Sequence, residues 1–160
     1  MTSKEAFTED EWVRVRRAPM VAGMAITIAD PGGPIEISKE GMATLRSATV
    51  PPSQEELLAA IALDITAMTQ RKENPLSGFK PNDPATVGQA VLDELSAAVG
   101  LVAGMATPEE TDAFRGWLVT TAQDAANAAK EGGFMGFGAE LVSQREADMI
   151  ERVRAAVGAA

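Results

Sequence analysis

Histidine, cysteine and tyrosine are absent from the 160 residues, and aromatic side chains make up only 4% of them. Without imidazole there is no Ser-His-Asp triad and no His-ligated zinc or iron. Without thiols there is no thiolate nucleophile, no disulfide and no Fe–S cluster. Basic side chains are scarce as well: 14 Lys and Arg stand against 23 Asp and Glu, a formal net charge of −9. An acidic chain does not attract phosphate backbones. The one basic cluster, Arg14, Arg16 and Arg17, follows directly on Glu9, Asp10 and Glu11, so no nucleic acid is expected as a partner. The first residues have no apolar stretch of signal-peptide type. The longest weakly polar run, Ala18 to Ala29, is short and contains Pro19, so no membrane span is expected. The expected setting is the cytoplasm, and the preference for Ala, Gly, Val and Arg over Lys suggests a GC-rich bacterial genome.

What the chain does have is a series of helix-start signals. Thr8-Glu9-Asp10-Glu11, Ser53-Gln54-Glu55-Glu56, Thr107-Pro108-Glu109-Glu110 and Ser143-Gln144-Arg145-Glu146 all fit the capping box, in which a hydroxyl and a carboxylate three residues on satisfy each other's amides. Asp83-Pro84 is a fifth candidate start. The apolar residues that follow are helically spaced. They are Leu57, Leu58, Ile61, Ile65 and Met68; Val87, Val91, Leu95, Ala98 and Val102; Phe114, Trp117, Leu118, Thr121, Ala125 and Ala128; and Met149, Ile150, Val153 and Val157.

An N-terminal helix is expected from about Thr8, with Trp12, Val15, Met20 and Met24 facing inward. Pro19 should kink or restart it. A shorter helix is expected at about Ser38 to Ala48, with Ile35-Glu36-Ile37 the only hint of a strand. Pro51-Pro52, Gly104 and Gly132-Gly133 read as stops. The expectation is an all-α fold: a single compact helical bundle of six to seven helices over 1–160. The Pro-rich connector at about 71–84 is the candidate hinge.

Two segments resemble each other, which gives the bundle a weak internal two-fold repeat. One runs from Ile26 through Asp30, Gly32, Gly33 and Ile35 to Ser38 and Glu40. The other runs from Ala126 through Glu131, Gly132, Gly133 and Phe134 to Ser143 and Glu146. Each reads as a helix end, a loop formed by paired glycines that permit positive φ, then a capped helix. This pattern resembles the TerB-like (tellurite-resistance B) helical domains. The chain departs from it at Pro31 and in the inserted Phe134-Met135-Gly136-Phe137-Gly138. The resemblance implies an all-helical, cytoplasmic, non-enzymatic protein linked to stress response or to membrane-associated assemblies.

After Asp30, the EF-hand ligand positions 3, 5 and 12 are Gly32, Pro34 and Gly41, so no calcium loop exists there. The Glu-x-x-His pairs of a di-iron bundle cannot occur without histidine. Glu55, Glu56, Glu109 and Glu110 are explained by helix starts, where carboxylates complement the helix dipole. Asp64 is expected on a solvated helix face with Gln54 and Arg71. No catalytic residue, metal or other cofactor is expected.

The Gly132–Gly138 segment carries two of the five Phe residues among four glycines, and lacks the Gly-Lys-Ser/Thr ending of a P-loop. Its aromatics either fold back into the core or contact a partner. Phe134, Met135 and Phe137 are the expected interaction surface, for a protein partner or a homo-oligomer. The alternative function is a module that binds a small or lipid-like molecule in an apolar pocket between alanine-rich helices.

Overall fold

The computed structural model describes residues 1–130 and 142–159. Phe134, Met135, Phe137, Gly132 and Gly133, and with them the second loop of the repeat, lie outside the described residues. Six α-helices are described: α1 (Glu9–Ala29), α2 (Pro34–Thr49), α3 (Glu56–Gln70), α4 (Val87–Met105), α5 (Pro108–Lys130) and α6 (Gln144–Val157). A 3-10 turn at Lys4–Ala6 precedes them. There is no strand among the described residues, and the helices pack as a compact bundle.

α1 is the centre of the bundle and packs against all five of the other helices. It opens with a complete capping box: Thr8 Oγ1 accepts from the Glu11 amide at 3.2 Å, and the Thr8 amide donates to Glu11 Oε2 at 2.8 Å. Beyond Trp12 and Val15 its buried residues are mostly small: Ala18, Val21, Ala22, Gly23 and Ala25, followed by Ile26. Neighbours can therefore approach on several sides. Met20 and Met24, expected inside, are only half-buried.

The helix runs through the buried Pro19 without restarting. Proline removes the donor that the Val15 carbonyl would use, at a local cost of about 3 kcal/mol. Packing from several sides outweighs it. Small size matters most at Gly23, where a Cβ would sit 2.6 Å from the Cβ of Thr44. That position sets how closely α1 and α2 cross.

Several boundaries differ from expectation for local reasons. α2 starts at Pro34, with Gly33 as N-cap, because proline suits the first helical position. Ile35-Glu36-Ile37 is therefore its first turn and not a strand. Neither Gly32 nor Gly33 has positive φ. Both lie in the α1–α2 connection under the Glu36 side chain, 2.9 Å from where each Cβ would stand. α3 starts with Glu55 as N-cap instead of Ser53. α4 starts at Val87, because Asp83 Oδ1 accepts from the Ala85 amide at 3.0 Å and closes a turn first. Gly104 lies inside α4 and does not end it.

α4 is long and apolar enough to cross a membrane by length and composition, with a mean hydropathy of 1.3. It is a longer apolar run than Ala18–Ala29, because its few polar residues are widely spaced. Here α4 packs on α1 and α6 and carries the buried Glu94, whose partners are on α1. Arg17 of α1 donates to Glu94 Oε1 from Nε at 3.1 Å and Nη2 at 2.8 Å, and Arg14 Nε donates to the same oxygen at 3.1 Å. Arg17 also reaches the connector between α3 and α4. It donates to the Ser77 carbonyl at 3.4 Å and lies 5.5 Å from the centre of the Phe79 ring. Gly78 makes this approach possible with a φ of 90°. The candidate hinge is thus tied to the core at Arg17.

Candidate functional site

The unusual element is α2. A surface helix ordinarily buries an apolar stripe and exposes a polar one. α2 buries Glu40, Thr44, Ser47 and Ala48, and exposes Ile35 (70%), Met42 (63%) and Val50 (67%). Its inward side is held by hydrogen bonds to α1 and α5. Thr27 Oγ1 donates to Glu40. Ser47 Oγ pairs with Thr121 Oγ1 at 2.9 Å, and the Ser47 carbonyl accepts from Trp117 Nε1 at 2.9 Å. Burial, foremost, pushes the Glu40 carboxyl above its usual range. The Thr27 bond works against the shift, and the charges of Asp30 and Glu36 add to it.

The outward side follows helical spacing. Ile35, Lys39, Met42 and Arg46 recur at four, seven and eleven residues, with Val50 at the C-cap, so they share one face. Among the described residues neither Lys39 nor Arg46 has an ion-pair partner. Beside this stripe runs a groove of about 490 Å³ between α2 and α5. Ala43, Arg46, Val50 and Pro52 form one wall; Trp117, Asp124 and Asn127 are on the α5 side. The stripe alternates apolar and cationic groups on an otherwise acidic chain, with Arg46 exposed and Lys39 half-buried. Its signal, apolar and basic residues in helical register after Gly33-Pro34, was present in the sequence.

Asp64 is not simply solvated. It is half-buried and accepts from Trp12 Nε1 at 2.6 Å and Lys4 Nζ at 3.1 Å, with Arg16 Nη1 at 4.0 Å. Burial alone would raise its carboxyl. The Trp12 and Lys4 bonds, with the charges of Lys4 and Arg16, outweigh it and hold the group below its usual range. A carboxyl so held stays ionised at neutral pH and is no general acid; it fastens the N-terminal turn and α1 to α3. Gln54 and Arg71, its expected companions, are not among its bonded partners.

Glu110 is likewise structural. Its backbone amide donates to Thr107 Oγ1 at 3.1 Å, and its carboxylate accepts from the Thr107 amide at 3.0 Å. The Thr2 amide and hydroxyl add bonds at 2.7 and 2.6 Å. Burial would raise its carboxyl, but these bonds dominate and lower it to about 2. Glu109 and Glu56 are exposed at helix starts, with Glu55 half-buried at the α3 N-cap.

A second cleft, of about 600 Å³, lies between α5 and the end of α6 and opens to solvent. Its lining includes Asp112, Arg115, Gln123 and Asp124, and Arg115 donates to Asp112 at 2.9 Å. Among the described residues no three acidic side chains converge to hold a metal ion. No family model, no curated protein and no solved structure matches this chain.

Proposed function

We propose that this is a non-catalytic helical-bundle protein that acts by contacting another protein through the outward face of α2. The observation that carries the reading is the inverted polarity of that helix: hydrogen-bonded polar residues inside, and Ile35, Met42 and Val50 outside. Large apolar side chains gathered on one exposed face mark interaction sites. Glu94, Glu110 and Asp64 each bond across elements as struts, which agrees with a role that needs no catalyst. The TerB-like helix–glycine–helix pattern agrees with a stress-related role of the same non-enzymatic kind.

Site-specific photo-crosslinking in the producing cell tests the reading. A photoreactive residue at position 42 is expected to give a discrete protein adduct. The same group at the exposed Glu151 of α6 is expected to give none. Equal adducts from both positions, or none from position 42, would refute it.

A further inference from the structure

The geometry points to an acidic amphipathic helix of another protein as the occupant of the α2 face. This rests on the contact reading above and adds the chemistry of the partner. Lys39 and Arg46 are seven residues apart on α2, which places them about 10 Å apart along the axis. They alternate with Ile35, Met42 and Val50 on the same face. Neither cation is neutralised within the described residues, although the chain carries a net charge of −9. Two free cations flanking apolar side chains select a partner with carboxylates at matching spacing, because complementary charge fixes register and suppresses wrong partners. A helix is the fitting shape: the groove between α2 and α5 runs beside the stripe, and helix-in-groove recognition reads apolar anchors at this spacing. Asp124 on the α5 wall repels a carboxylate there and so sets which way round the partner lies.

A second copy of this face is the wrong occupant. In a symmetric antiparallel pairing of two α2 helices centred on this face, between Met42 and Ala43, Ile35 meets the second copy's Val50, and Lys39 meets its Arg46. In a parallel pairing each cation meets its own counterpart. Both isologous arrangements oppose like charges across the contact. An anionic membrane is also disfavoured. Lipid-binding segments cluster about four to eight cations, whereas this face has Lys39 and Arg46 beside Asp124.

The test uses the full chain and two peptides of about 18 residues, long enough to span α2. They share one leucine face and differ only in the charges at two flanking positions seven residues apart: Glu in one peptide, Lys in the other. Fluorescence anisotropy is expected to show the Glu peptide binding at least about tenfold tighter than the Lys peptide at low salt, with the gap shrinking as salt rises. Lys39→Glu/Arg46→Glu is expected to reverse the preference, with an unchanged far-UV circular dichroism spectrum. Equal binding of the two peptides overturns the inference, as does no binding of the Glu peptide. So does binding of phosphatidylserine vesicles in preference to the Glu peptide. The adduct at position 42 separates the two readings. If it persists undiminished in the charge-reversed variant, the contact reading stands and the acidic partner falls. If it is absent from the wild-type chain, the contact reading itself falls.

Discussion

Replacing Glu94 with alanine is expected to lower the unfolding free energy by about 3–5 kcal/mol, the cost of leaving a buried charge without its partner. The Arg17 side chain is only 10% exposed and that of Glu94 8%, so water cannot replace the lost carboxylate. Arg14, at 45% exposure, can turn to solvent and adds little. The loss should reach beyond α1 and α4. Arg17 also holds the Ser77 carbonyl and the Phe79 ring, so the variant should be cut faster by trypsin at Arg71 and Lys72, at the start of the connector. Urea unfolding and limited proteolysis measure the two effects. A double change, Arg17→Met with Glu94→Leu, should cost less than Glu94→Ala alone, because an apolar pair leaves no orphaned charge. A Glu94→Ala loss below about 1 kcal/mol, the scale of an exposed ion pair, would show that the pair is not a core strut.

The second large effect is pH-dependent. Glu110 has its carboxyl lowered from 4.5 to about 2 in the folded chain. A depressed carboxyl contributes stability that is fully present above the unfolded value and is lost as pH falls through the folded one. The contribution of Glu110 should therefore hold above about pH 4.5 and drain away between there and about pH 2. It amounts to about 3 kcal/mol for a shift of this size. Glu110→Gln should be less stable than the wild type at pH 7, with the gap closing across that window as the wild-type carboxyl takes up its proton. Comparing the two proteins isolates this group from the other carboxylates. A gap that stays constant from pH 7 to pH 2 would contradict the assignment. Glu40 has the opposite sign: its carboxyl is raised by burial, so ionisation above its folded value costs stability.

Much of the fold was legible because its signals are local. Thr8, Thr107 and Ser143 accept from the amides three residues on, as the capping pattern required. The stripes Leu57 to Met68 and Met149 to Val157 point inward. What was not legible depends on distant neighbours. Helical spacing compared Asp64 with its sequence neighbours Gln54 and Arg71, whereas its partners Lys4 and Trp12 are 60 and 52 positions away. Ser53 has the residue type of a cap, yet its buried hydroxyl has no hydrogen-bond partner among the described residues, because α3 begins two residues later than the motif requires. In α2, the helical spacing of Ile35, Met42 and Val50 is present in the sequence but does not say which way that face points. Apolar faces usually turn inward; here the hydroxyls of Ser47 and Thr121 and the indole of Trp117 claim the inner side. That left Ile35, Met42 and Val50 outside. The interaction residues expected from sequence, Phe134, Met135 and Phe137, lie outside the described residues.

The central claim is that α2 is held by its polar side and that its apolar side is spare. The urea midpoint of the triple variant Ile35→Ala/Met42→Ala/Val50→Ala tests it most directly. With these side chains 63–70% exposed, the variant should stay within about 0.5 kcal/mol of the wild type, the range of ordinary surface substitutions. A loss of about 3 kcal/mol or more, as core truncations give, would mean that these residues are packed inside the folded chain and would contradict the account.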